Sequence, residues 1–216
     1  MMVTATKEST LVPNREFANM ATDEQIERTA KALEANGIHT LIARNGAEAK
    51  KLVLEMLPDG AEVHQGASVT LETLGITDEI NKSGRYKAVR PKIFSMDRKT
   101  HGDEIRALGA RPEYMLGSVH AVTEDGRVLI ASNTGSQLGA YATGAKKVIW
   151  VVSAQKIVKG FEEGMRRIEE YVYPREDAHM LELYGVNSGI NKMLIVNREI
   201  QRQRITLILV KESLGF

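Results

Sequence analysis

Three features of the sequence predict an α/β fold built on a mostly parallel sheet. Through the first half, short apolar runs alternate with amphipathic helical stretches, the pattern of successive βα units. The run KKVIWVV (146–152) is apolar without alternation over Val148–Val152, as a strand covered by helices on both faces must be. A single D-G turn, Asp125-Gly126, sits between apolar runs and predicts one antiparallel hairpin, a departure from a plain doubly wound order.

The elements follow in order. Residues 1–20 are polar, carry Pro13 and show no periodicity; they are expected to form a tail or an arm laid on a neighbouring subunit, with a single domain over 21–216. Thr22 and Gln25 form a capping-box pattern, Ile26, Ala30 and Leu33 follow at helical spacing, and Gly37 supplies the stop. A strand is predicted from His39 to Ala43. The next helix runs from Gly46 to Leu57, with Ala49, Leu52, Val53 and Met56 on one face and Pro58-Asp59-Gly60 ending it. A short strand, Ala61 to His64, leads into Gln65, Gly66, Ala67 and Ser68, the last an N-cap for a helix carrying Leu71 and Leu74. Beyond it come a weak helix stopped by Gly84, a strand near Tyr86–Val89 and a polar helix over Asp97–Ala110. After the hairpin a helix is expected over Ser136–Thr143, stopped by Gly144, and then the apolar strand ending in Ser153, Ala154, Gln155, Lys156. A long helix from Val158 to Val172 should bury Phe161, Met165, Ile168 and Val172, expose Arg166 and Arg167, and end at Pro174. A short helix (177–184) and two strands (193–196 and 204–210) complete the chain.

Composition narrows the function classes. Twenty-nine basic against 28 acidic residues leave a net charge of +1, which offers no broad electrostatic footprint for nucleic acid or an anionic membrane. The absence of cysteine excludes disulfides, thiolate nucleophiles and protein-ligated iron–sulfur clusters within this chain. The N-terminal residues lack a signal-peptide core, and no apolar run reaches the roughly 18 residues of a membrane span, so a soluble cytoplasmic protein is expected. Nucleotide-binding glycine motifs, the P-loop, the zincin motif and the nucleophile elbow are all missing. No metal site is predicted: among the five histidines only His179 has an acid at helical spacing, Glu182, and one such pair reads as a surface contact.

Two polar turns carry the chemistry. Ser132, Asn133, Thr134, Gly135, Ser136 and Gln137 follow a predicted strand and precede a predicted helix; hydroxyls, amides and a glycine there suit a carboxylate, phosphate or acyl oxygen. The same residues are ordinary turn chemistry. Gln155 and Lys156 form the second turn, at the end of the central strand. Gln65, Gly66 and Ser68 lie on a third strand-to-helix loop, where an open α/β sheet collects its ligands. His120 and Ser118 lie beside the hairpin. These are the candidate ligand-binding residues, and His120, Glu124 and Lys156 are the candidate catalytic ones.

At these positions the chain resembles the LUD domain family, the lactate-utilisation proteins typified by LutC and its YkgG-like relatives. The matching residues are Gly117, Ser118, Ala121, Thr123–Gly126, Thr134, Gly135, Gly144, Lys146–Val148, Lys156–Val158, Arg167 and Pro174. The resemblance implies a three-layer α/β/α fold of the NagB, ribose-phosphate isomerase and CoA-transferase type, and a role in lactate utilisation beside oxidoreductase partner proteins. On this basis the chain is expected to bind a small anionic metabolite or cofactor of unknown identity. An enzyme of the sugar-phosphate isomerase or acyl/CoA-transfer kind is the second reading. A homodimer is expected, joined through the apolar last strand or the N-terminal arm.

Overall fold

The computed structural model describes residues 9–216, and the first part of the predicted arm lies outside them. Strands β1 (His39–Ala43), β2 (Glu62–Gln65), β3 (Lys87–Ala88), β4 (Tyr114–Gly117), β7 (Lys147–Ser153) and β10 (Ile205–Val210) form one sheet in the order β1-β10-β7-β4-β2-β3, parallel at every pairing. The hairpin does not join this sheet. Its strands β5 (Ala121–Thr123) and β6 (Val128–Ser132) pair with each other and with β8 (Ile157–Val158) and β9 (Lys192–Val196) in a second sheet, ordered β8-β5-β6-β9.

Side-chain alternation assigns the layers. On β7, Ile149 and Val151 pack with Val53, Leu57, Leu71, Ile76 and Ile80 from α2 (Gly46–Met56), α3 (Val69–Thr73), α4 (Ile76–Lys82) and the turn after α2. Val148, Trp150 and Val152 pack on the other side with Ile26 and Leu33 of α1 (Asp23–Ala35) and with Val122, Val128 and Ile130 of the second sheet. Helices thus flank the main sheet as an α/β/α arrangement, and the second sheet shares one flank with α1. Its outer face, through Leu129 and Ala131, packs against Ile168. Two smaller helices, α5 (Val89–Ser95) and α6 (Gly102–Ala110), follow β3, and α6 starts later than its sequence pattern suggests.

Local chemistry accounts for the boundaries. Thr22 caps α1 with a complete capping box, Asn45 caps α2 and Ser68 caps α3. The helix expected over Ser136–Thr143 is instead one helical step that widens into a π-turn over Ala140–Gly144. Arg204 explains why it stops: its Nη2 donates to the carbonyls of Tyr141 (2.7 Å) and Ala142 (3.0 Å), and its Nε is paired with Glu199.

Pro174 does not end the long helix. α7 (Phe161–Arg167) passes through a π-turn (168–172) into α8 (Tyr173–Tyr184). A proline inside a helix leaves the carbonyl four residues earlier without its donor. Here that carbonyl, of Glu170, accepts instead from the backbone N–H of Asn14 at 2.8 Å. The described part of the N-terminal segment is therefore held on its own chain: Asn14 Nδ2 also reaches Glu170, Phe17 packs against the second sheet's outer cluster, and Ser9 Oγ donates to Asp177 at 2.6 Å. The inward face of α7 also differs from the expected one, running through Gly164, Arg167 and Ile168. Arg167, expected on the solvent side, is fully buried, while Arg166 stays outside and pairs with Glu170.

Candidate functional site

Because the main sheet is parallel, the loops after β2, β4 and β7 all leave at one edge. Gly66–Thr70, Ser118–His120 and Lys156 meet there with Ala131–Thr134, Ser136 and Gln137 of the turn after β6, and together with α8 they enclose a cavity of about 280 Å3. That is the scale of a small-molecule site. Tyr173, Glu176, Met180 and Leu183, spaced to share one helix face, form the α8 wall; Ser188–Ile190 and Phe216 continue it.

The approach of β4 is as close as a backbone allows. A Cβ at Gly117 would lie 1.7 Å from the Tyr141 hydroxyl, so only glycine lets Tyr141 stand against the strand end and line the cavity.

Lys156 turns inward from a tight 3-10 turn and is 2% exposed. Its Nζ donates to Ser118 Oγ and to the Val119 carbonyl, both at 3.1 Å. Behind it lies Arg167, 0% exposed, whose guanidinium donates to the His120 carbonyl and lies over the Tyr171 ring, 5.1 Å from its centroid. The Nε and Nη2 of Arg167 are buried without partners, and among the described residues neither cation has a carboxylate within ion-pair distance. Burial, and secondarily Arg167, hold the Lys156 ammonium well below its ordinary pKa of 10.5. Arg167 is itself lowered to about 10, by burial.

His120 has a fixed tautomer. Its Nδ1 accepts from the Ala131 N–H at 3.0 Å, so Nε2 carries the hydrogen. Burial, with Lys156 and Arg167 adding to it, pushes its pKa down to about 3, so the ring is neutral at neutral pH and offers the cavity a donor rather than a base. Glu176 is the opposite case. Its carboxyl is raised by burial, which His179 opposes and Glu72 reinforces, and all three residues line the cavity.

Of the residues singled out in the sequence, Gly66, Ser68, Ser118, His120, Asn133, Thr134, Ser136, Gln137 and Lys156 line this cavity. Four others do not. Gln155 turns the opposite way, its Nε2 donating to the carbonyls of Leu214 (3.3 Å) and Gly215 (3.0 Å). Gln65 is buried beneath Gly66, with both side-chain polar atoms unpartnered. Gly135 sits at φ +81° and closes the turn, which Ser132 Oγ caps at 2.8 Å and Lys192 holds through the Thr134 carbonyl. Glu124 belongs to the hairpin end and is tied to Gln25 and Arg28 of α1. The turn after Gly135 runs into a helical segment too short to present a helix N-terminus, and the start of α7 does not line the cavity.

Sequence reasoning missed Arg90, Arg167, Glu176 and the role of His179. Tyr173, Glu176 and Met180 carried a readable spacing, which the assumed break at Pro174 obscured. His179 stacks edge-on to Phe216, with centroids 6.4 Å apart, instead of serving only the surface. No cluster of His, Asp and Glu suited to a metal ion occurs among the described residues, and no described helix is long and apolar enough to cross a membrane.

The LUD domain model matches residues 26–210, both sheets and every wall of the cavity but Phe216. The chain belongs to the LUD domain family. A solved structure described as a duf162 family protein from Deinococcus radiodurans shares the fold at 13% identity, covering 89% of this chain and 99% of that one with a TM-score of 0.57. A comparison with curated proteins found no match. Within the LUD domain, the cavity is formed where the sheet's carboxyl edge meets the second sheet and α8.

Proposed function

We propose that this LUD domain binds a small anionic metabolite in the cavity, with Lys156, Ser118 and the His120 Nε2–H as its polar contacts. The observation that carries the reading is the pair of buried basic side chains, Lys156 and Arg167, with no carboxylate partner among the described residues; a bound anion would offset the Arg167 charge and favour the protonated form of Lys156. A buried charge without a counter-ion is costly, and a bound anion would offset that cost here. Polar hydroxyl and amide groups of Ser136 and Gln137 favour a hydrophilic ligand, and the bulky Tyr173, Met180 and Leu183 of the α8 wall limit its size. A lactate-utilisation role, with a 2-hydroxy or 2-oxo acid as ligand and an oxidoreductase partner, accords with family membership.

An acid–base enzyme is less well supported, since Glu124 lies outside the cavity and His120 presents a hydrogen rather than a lone pair. Thermal-shift screening of lactate, pyruvate, sugar phosphates, acyl-CoA and nucleotides tests the proposal. A ligand at a hundredfold excess over its Kd should add about 2.7 kcal/mol of stability. A panel without any stabilising anion would contradict it.

A further inference from the structure

Lys156 is placed for more than electrostatic attraction. A neutral amine has two N–H donors and one lone pair, and the protein supplies two acceptors to Nζ, Ser118 Oγ and the Val119 carbonyl. With those satisfied, the lone pair is left for the cavity that Lys156 lines. Arg167, buried yet charged at neutral pH, disfavours a second cation beside it, and no described carboxylate lies within ion-pair distance to offset the effect. A desolvated lysine next to another cation is the arrangement that makes an amine nucleophilic. His120, lining the same cavity with a fixed Nε2–H, provides the donor that would polarise a carbonyl oxygen.

We infer that Lys156 forms an imine with a small carbonyl compound bearing an anionic group, a 2-oxo acid being the simplest member of the class. This inference rests on the anion-binding reading of the same cavity. The Nζ lone pair attacks the carbonyl carbon, forming the C–N bond while the C=O π pair moves to oxygen under the His120 hydrogen bond. The two hydrogens of Nζ then leave with that oxygen as water, and C=N forms. The sequence consumes no oxidant or reductant, and His120 keeps its proton.

Borohydride trapping tests this. The wild-type chain is incubated with pyruvate at neutral pH, reduced with sodium borohydride and mapped by peptide mass spectrometry. The expected result is a saturable reduced adduct on the peptide bearing Lys156, with exposed lysines such as Lys99 modified only in proportion to pyruvate concentration. Lys156→Arg should lose the adduct. Arg167→Met, which removes the neighbouring cation and leaves the amine, should shift the pH midpoint of trapping upward. Calorimetric titration with pyruvate in the absence of borohydride runs alongside. Pyruvate binding without any adduct on Lys156 would overturn the imine and leave the anion site standing. Neither binding nor adduct would overturn the imine with a 2-oxo acid, while the anion site itself falls only if the whole thermal-shift panel fails to stabilise the chain.

Discussion

At the scale of single residues, the buried histidines set the acid limit of the fold. His64 titrates at about 4, lowered by burial and then by Arg90, and His120 at about 3, against an ordinary 6.5. Between those values and 6.5 the unfolded chain binds more protons than the folded one. Stability therefore rises with pH across that window and falls on acidification below 6.5. At about 1.36 kcal/mol per pKa unit, His64 alone should remove on the order of 2 kcal/mol between pH 7.5 and pH 5. Urea denaturation at the two pH values should show the loss, and His64→Gln should remove its share and leave that of His120. Equal stability at both pH values would mean that neither ring is desolvated as described. Gly117 makes the second residue-scale prediction. Gly117→Ala must move either β4 or Tyr141, and a cost of about 1–3 kcal/mol from overpacking is expected by the same measurement.

At the scale of elements, α8 depends on groups far from it in sequence. Asp177 is 2% exposed and accepts from Ser9 Oγ, from Asn187 Nδ2 and from the Ser188 N–H. The Ser9 hydrogen bond is the first cause of its lowered pKa, so its contribution is present above the ordinary 3.8 and is lost as pH falls through the folded value. Asp177→Ala strands these donors and should cost about 2–4 kcal/mol, since hydrogen bonds to a charged acceptor are worth about 1.5–3 kcal/mol. The same substitution should weaken ligand binding, because Ser188 and Ile190 line the cavity. Unchanged melting and unchanged binding would separate α8 from the site. Elements whose signals are local were legible in the sequence. The Thr22 capping box, the Ser68 cap and the β1 limits follow from adjacent residues. The continuation of the helix through Pro174 was not, because its missing donor is replaced by Asn14, some 160 positions away in the chain.

For the whole molecule, the parallel sheet and the edge at which its loops gather were readable from alternation, while the second sheet's partners were not. β9 and β8 join the hairpin from distant positions, and two-residue β8 carries no periodicity. The last strand was expected to be free to pair subunits, yet β10 lies between β1 and β7 with both faces buried, so its apolar surface is used within the chain. The loop residues that line the cavity were legible because turn chemistry is local. Arg167 and Glu176 were missed because their burial depends on how α7 and α8 dock. This docking leaves Lys156 without a carboxylate partner among the described residues, and the proposed role of the cavity is to let a bound anion supply one. Calorimetric titration of wild type and Lys156→Met with the anion that most raises the melting temperature tests it most directly. A charge-assisted contact of about 1.5–3 kcal/mol predicts affinity weakened by roughly tenfold to a hundredfold, in a variant that still melts cooperatively. Equal affinities in the two proteins would contradict the account and place the anion elsewhere.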